Sequence, residues 1–126
     1  MSKVKILRVS TVPIYMNIVL RGQLEILNRR FSVIAATSYD RKHYHEILER
    51  EGVEMRKIDL CRTISPIKDI RALFQLVALI KLEAPDVVHT HTPKAGLLGM
   101  IASVICRVPI RIHTVTGMPL MSLKIV

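Results

Sequence analysis

One short segment, PDVVHTHTPKAG at residues 85–96, carries the side chains best suited to chemistry. Its apolar, β-branched residues predict a buried strand. The Thr92-Pro93 pair that follows predicts the start of a helix, because threonine is a good N-cap and proline suits the first helical position. Two histidines, two threonines and a lysine are therefore placed at a strand–helix junction.

The start of that predicted helix is a candidate binding site. The first-turn amides of Lys94, Ala95 and Gly96 would have no partner earlier in the helix and would be free to bind a ligand. A lysine beside the positive end of a helix is unfavourable unless an anion such as phosphate is held there. A capped helix with a solvent-exposed lysine explains the same residues, so the segment alone leaves both interpretations open.

Three histidines form a second group of candidate residues. His89 and His91 are two positions apart on the predicted strand and should point to one face, with Thr90 on the other, while His113 ends the next strand. Three imidazoles could hold zinc, but no carboxylate or thiol has matching spacing, so we expect no metal. Hydrogen bonding to hydroxyls or phosphate is the favoured role for His91, and a satisfied histidine within the sheet is favoured for His89.

The composition narrows the class of protein. Half of the 126 residues are hydrophobic and few are aromatic, which favours one domain with a parallel sheet covered by helices. The net charge of +9 favours phosphates or an anionic membrane as partners. No nucleic-acid partner is expected, because basic residues and stacking aromatics do not alternate. The two cysteines lack metal-ligand spacing and are expected to be reduced thiols in a cytosolic protein.

Strand and helix patterns alternate along the whole chain. They predict strands at residues 4–9, 32–37, 53–58, 87–91 and 110–114, and helices at 18–30 (capped by Asn17), before Gly52, at 66–83 and at 93–106. This alternation indicates an α/β fold with a Rossmann-like, doubly wound parallel sheet. With strand order 3-2-1-4-5, the loops at 10–17, 90–94 and 114–119 would meet at one edge of the sheet.

Four stretches resemble a known family. They are KILRVSTVPI near the start, RTISP at 62–66, PDVVHTHTPKAGLLGMIAS at 85–103 and VPIRIHTVTGMPL at 108–120. The chain is similar to the N-terminal, acceptor-side domain of retaining, two-domain (GT-B) glycosyltransferases of family four, of the capsular, O-antigen and exopolysaccharide type. The resemblance implies that residues 1–126 form a truncated N-terminal domain and that the C-terminal, donor-binding domain is absent from the chain.

The resemblance also implies a function and a site. The complete enzyme would transfer a sugar from a nucleotide sugar, bound by the missing domain, to a lipid-linked or glycan acceptor, without a cofactor. The chain alone would be inactive, and its catalytic residues are not identified. The cleft would be lined by His91, Thr92, Lys94, Ala95 and Gly96, and flanked by Thr116 and Gly117.

Two other functions and a location complete the expectations. A UDP-sugar 2-epimerase has a similar two-domain architecture, and a non-catalytic binding module could keep the same fold. We expect a cytoplasmic protein that associates peripherally with the inner face of the membrane. The predicted helix at 66–83 has a wider apolar stripe than one buried face needs, which fits either a membrane contact or a well-buried helix.

Overall fold

A computed structural model of the chain describes residues 3–115. Strands and helices alternate in this range, in the order β1 (Lys5–Val9), α1 (Pro13–Ile18), α2 (Gln23–Arg30), β2 (Ser32–Thr37), α3 (Arg41–Glu51), β3 (Glu54–Lys57), α4 (Pro66–Glu83), β4 (Val87–His91), α5 (Pro93–Ile105) and β5 (Ile110–Thr114). The strands form one parallel sheet in the order β3-β2-β1-β4-β5. The predicted fold class and strand order are confirmed.

The sheet is covered on both faces, and the alternation of side chains along each strand decides which residues face which layer. One core lies between the sheet and α4 and α5, and it includes Leu7, Val9 and Val88 from the central strands. The other lies between the sheet and α1, α2 and α3, and it includes Val33 and Ala35. Arg8 on β1 and His89 and His91 on β4 alternate with these apolar positions and therefore face the α1 side.

The region between β1 and β2 differs from the prediction of a single helix at 18–30. Instead, α1 begins at Pro13 and ends at Ile18, and α2 follows a turn in which Gly22 has φ +81°. The carboxylate of buried Glu51 accepts hydrogen bonds from the amides of Gly22 and Glu25, both at 3.1 Å. Glu51 lies in α3, so a distant side chain caps α2 and sets the break, which local periodicity does not reveal.

Asn17 does not cap a helix, contrary to the sequence-based expectation. It lies inside α1 and is buried. Its side chain accepts a hydrogen bond from Arg50 Nη1 at 2.8 Å and donates to Glu46 Oε1 at 2.9 Å. These bonds tie α1 to α3, so the polarity of Asn17 serves a contact between two helices.

Helix α4 has the predicted bounds but two different faces. Ala72, Leu76, Leu79 and Ile80 are buried against the sheet and α5. The opposite face is apolar and exposed, and includes Ile67, Ile70, Phe74 and Leu82. No helix within residues 3–115 is long and apolar enough to cross a membrane.

Candidate functional site

The loops after β1 and β4 meet at the carboxyl edge of the sheet, as predicted. They border a cleft of about 730 Å³ between α1 and the start of α5. Its lining consists of Thr11, Val12, Ile14, Tyr15, Ile18, Val19, Arg62, Thr92, Pro93 and Lys94. This is the switch point of the sheet, where β1 and β4 are neighbours and their helices leave on opposite faces. The third predicted loop, at 114–119, lies mostly outside the described residues, as do Thr116 and Gly117.

Two threonines join the loops at the base of the cleft. Thr11 Oγ1 lies 2.7 Å from Thr92 Oγ1, and the Thr11 amide donates to Thr92 Oγ1 at 3.1 Å. The amide of Ala95 donates to Thr11 Oγ1 at 3.2 Å. Thr92 is the N-cap residue of α5, but its own side chain makes no capping bond. The capping oxygen comes from Thr11, so the expectation that Thr92 caps the helix by its side chain is corrected.

The first turn of α5 offers fewer amides than the sequence predicts. The amide of Ala95 is bonded to Thr11, and the amide of Gly96 donates to the Thr92 carbonyl at 2.8 Å. The expectation that these two amides are free is therefore wrong. Gly96 is buried, and a Cβ there would overlap the imidazole of His113. The absence of a side chain thus allows α5 to approach β5 closely.

Lys94 is neither solvated nor alone. Its ammonium lies 2.9 Å from Asp69 Oδ1 and also donates to the carbonyl of Thr63. Only 13% of the Lys94 side chain is exposed. The interpretation of a solvent-exposed lysine is therefore wrong. Lys94 ties the start of α5 to the loop before α4 and lines the cleft beside the exposed side chain of Arg62.

The three histidines are not brought together. His89 and His91 stack on one face of the sheet, with ring centroids 4.3 Å apart. His113 lies on the other face, where its Nδ1 is 2.8 Å from Thr90 Oγ1. One metal ion could not bind all three. His89 Nε2 is 2.6 Å from Thr114 Oγ1, which fits the expectation of a satisfied histidine within the sheet.

Arg8 is the functional candidate that sequence reasoning missed. It is only 3% exposed, and its Nε and Nη2 lie 3.0 and 2.8 Å from His91 Nε2. Burial and the nearby Arg8 cation lower the pKa of His91 to about 3 and that of His89 to about 4. Both imidazoles are therefore neutral at pH 7. The signal available in the sequence is a charged residue between the apolar residues Leu7 and Val9 of a predicted strand.

His91 does not itself reach the cleft. It is 1% exposed, and its Nδ1 lies 3.4 Å from the hydroxyl of Tyr15. Tyr15 lies on α1 and lines the cleft. A ligand in the cleft would therefore meet Tyr15 before His91, and the prediction that His91 binds substrate stays a prediction.

The cleft and fold agree with a family match that extends over most of the chain. Residues 16–123 match the model of the glycosyl transferase 4-like domain. The chain is 35% identical over 105 residues to the capsular polysaccharide biosynthesis glycosyltransferase CapM of Staphylococcus aureus. It is 34% identical over 133 aligned positions to the UDP-Gal:α-D-GlcNAc-diphosphoundecaprenol α-1,3-galactosyltransferase of Escherichia coli. The chain therefore belongs to the glycosyl transferase 4-like domain family, which confirms the resemblance.

The alignments cover 83% and 98% of this chain but only 27% and 32% of these two relatives. The chain thus spans about a third of their length. The match therefore identifies the family of this domain and not the activity of a longer protein that contains it.

Solved structures share the fold at low sequence identity. A glycosyltransferase from Rickettsia africae superposes with a TM-score of 0.67 at 19% identity, over 99% of this chain and 34% of that one. A UDP-N-acetylglucosamine 2-epimerase from Rickettsia bellii gives 0.65 at 12% identity, over 88% and 30%. The fold is therefore common to transferases and epimerases, and the sequence relatives are what favour the transferase.

Proposed function

We propose that the protein containing this chain transfers a sugar from a nucleotide sugar to a lipid-linked or glycan acceptor in the synthesis of a cell-surface polysaccharide, such as a capsule or lipopolysaccharide. The match of residues 16–123 to the family model carries this proposal. The names of the two sequence relatives, one of which acts on a diphosphoundecaprenol-linked sugar, support the acceptor class. This domain supplies the acceptor side of the catalytic cleft, and a further domain supplies the donor site.

The lining of the cleft fits an amphiphilic acceptor. Ile14, Ile18 and Val19 form an apolar wall on α1 and the turn after it, and all three are exposed. Arg62 and Lys94 place two cations at the same cleft. The cleft could therefore hold an apolar chain against this wall and a phosphate near the two cations. Cations at the cleft would also stabilise negative charge that develops on a departing diphosphate.

The exposed face of α4 supports peripheral binding to an anionic bilayer at the cytoplasmic face of the membrane. Ile67, Phe74 and Leu82 on this face are 83%, 68% and 78% exposed. Lys68 and Arg71 beside them are also exposed. Basic residues near an anionic surface contribute about 1 kcal/mol each, and apolar side chains add burial in the interface. The start of α4 lies next to the cleft, through the Lys94–Asp69 pair.

Sugar transfer by the full-length protein is the direct test of the function. Radiolabelled nucleotide sugars would be supplied with and without a polyprenyl-diphosphate sugar, and product would be followed in the lipid phase. Acceptor-dependent transfer supports the proposal. Interconversion of UDP-sugars without an acceptor would identify an epimerase, and binding without turnover would identify a binding module. The isolated chain is expected to be inert. Clear turnover by it would contradict the proposal that a further domain supplies the donor site.

Membrane binding is tested separately by co-sedimentation with anionic and neutral vesicles over a range of salt concentrations. Binding to anionic vesicles that weakens with salt is expected, because salt screens the basic residues. The double substitution Ile67→Ser with Phe74→Ser should reduce this binding, and Leu48→Ser on exposed α3 is the matched control. Equal binding to neutral vesicles, or an unchanged double variant, would contradict this membrane contact.

A further inference from the structure

Arg8, His91 and Tyr15 form a chain of contacts that leads from the buried sheet to the cleft. Arg8 Nε and Nη2 both approach His91 Nε2, at 3.0 and 2.8 Å. Arginine has only hydrogen-bond donors, so His91 Nε2 must accept and cannot carry a hydrogen. In the neutral imidazole the proton is then on Nδ1.

That proton faces Tyr15. His91 Nδ1 lies 3.4 Å from the Tyr15 hydroxyl, and the two rings are 5.3 Å apart. With hydrogen on Nδ1, the Tyr15 oxygen is the acceptor of this contact, and its own O–H is left to donate elsewhere. The other tautomer would reverse the direction, and the Tyr15 hydrogen would turn inward, away from the cleft.

We propose that Arg8 is a positioning residue that acts through His91 to orient the Tyr15 hydroxyl as a hydrogen-bond donor to an anionic phosphate oxygen of the acceptor. This inference rests on the proposed function, because that function supplies the phosphate. The site would hold the phosphate between Tyr15 on one side of the cleft and Arg62 and Lys94 on the other.

The cost of burying Arg8 supports a role beyond packing. Arg8 is on the central strand β1, next to β4, and within residues 3–115 it forms no ion pair with a carboxylate. A buried cation whose partner is a neutral imidazole lacks the Coulombic gain of an ion pair, so its desolvation cost is only partly offset. Polar side chains that break the apolar pattern of a buried strand and lead to a cleft are more typical of a functional site than of packing.

Equilibrium binding of a short-chain polyprenyl diphosphate to the full-length protein tests the proposal. Tyr15→Phe should weaken binding about tenfold, in the range expected for a lost hydrogen bond to a charged group. Arg8→Met should weaken it in the same direction, and Arg8→Lys, which keeps a cationic donor, should restore part of the loss. Tyr44→Phe on α3 and Arg30→Met at the end of α2, neither of which lines the cleft, are the matched controls.

The tautomer of His91 gives a readout that a packing defect would not produce. Side-chain ¹⁵N chemical shifts of histidine-labelled protein should show Nδ1–H at His91, and Arg8→Met should move His91 toward Nε2–H. Each variant is first checked for a cooperative melting transition, and the tautomer of the parent protein and the binding by Tyr15→Phe decide the test if Arg8→Met does not fold. An Nε2–H tautomer in the parent protein, or unchanged binding by Tyr15→Phe, would overturn the proposal.

The proposed function fails by a different result. If the parent protein binds the diphosphate lipid, Tyr15→Phe weakens that binding and no sugar is transferred from any donor, the transferase assignment falls while the Tyr15 site stands. If the parent transfers sugar and Tyr15→Phe binds and reacts like the parent, the site falls while the function stands. If the parent does not bind the lipid at all, the Tyr15 site is overturned as stated.

Discussion

Two cations at the carboxyl edge of the sheet, Arg8 and Lys94, are held in opposite ways. Lys94 is paired with a carboxylate, with its Nζ 2.9 Å from Asp69 Oδ1. Arg8 is more deeply buried, and its partner is the neutral imidazole of His91 at 2.8 Å. One pair cancels its charge, whereas the other leaves a net positive charge inside the domain.

The Lys94–Asp69 pair therefore mainly connects two helices, whereas Arg8 mainly provides positive electrostatic potential. The Lys94–Asp69 pair joins the first turns of α5 and α4, and Asp69 offsets part of the charge that Lys94 brings to the cleft. Arg8 contributes a positive charge in a region of low dielectric, where its potential is screened less than at the surface. We therefore expect Arg8 to matter for an anionic ligand through charge as well as through His91, and Lys94 to combine a structural contribution with a contact to ligand.

The largest expected effect comes from removing the partner of Arg8. His91→Leu would leave a buried guanidinium without its acceptor and should lower the free energy of unfolding by about 3 kcal/mol. Arg8→Met should destabilise less, by about 1 kcal/mol, because only a neutral ring nitrogen loses its donor. Urea unfolding of the full-length variants measures both values. Equal losses would show that the guanidinium is not the costly member of the pair.

Lowering the pH should destabilise the folded domain before its carboxylates titrate, because two histidines with lowered pKa values lie beside Arg8. The pKa values of His91 and His89 fall from 6.5 to about 3 and about 4 in the folded domain. Between pH 6.5 and 5 the unfolded chain therefore binds more protons than the folded one, and stability falls as the pH falls through this window.

Urea unfolding midpoints measured at pH 7.5, 6 and 5 would show how steeply the stability depends on pH. His91→Leu should have a shallower slope because one of the two lowered histidines is gone. Arg8→Met should also flatten it, since the Arg8 cation is one cause of both lowered pKa values. A slope that is the same in all three proteins would assign the acid sensitivity to other groups.

The Lys94–Asp69 pair should show the smallest effect on stability. Lys94→Ala should lower the free energy of unfolding by about 1 kcal/mol, because both members are partly exposed. Turnover by the full enzyme should fall about tenfold if the ammonium contacts phosphate, with Lys42→Ala on exposed α3 as the control.

The double variant Lys94→Ala with Asp69→Ala sharpens that test. It removes the orphaned carboxylate and should recover the lost stability, but it should not recover turnover. Recovery of both would assign Lys94 a purely structural role, and unchanged turnover in Lys94→Ala alone would give the same answer.

Much of the candidate site follows from local sequence patterns. The strand at 87–91 and the helix that Pro93 begins were predicted from β-branched residues and proline, and both are observed. The meeting of the Thr11 and Thr92 loops followed from the strand order, since parallel strands in that order place these loops side by side.

Other parts of the site depended on partners far away in sequence. Thr11 caps α5 across 84 positions, and Arg8 reaches His91 across 83. Nothing in a local window around either residue indicates such a partner. The prediction of a free Ala95 amide was wrong for this reason, because the Thr11 hydroxyl of another loop accepts its hydrogen bond.

Local patterns in the sequence are sufficient to predict the alternation of strands and helices, the parallel sheet, the family and the edge at which the cleft opens. These follow from the period of apolar residues, from proline and glycine positions and from short motifs, all of which act within a few residues. Which polar groups are satisfied internally, and which remain for a ligand, depends instead on the three-dimensional arrangement of distant segments. The sequence left Lys94 either solvated or beside a bound anion, and in the structure it is paired because folding brings Asp69 to it. Hydrogen bonds and ion pairs of buried groups depend on atoms within about 3 Å, and the fold alone sets those distances.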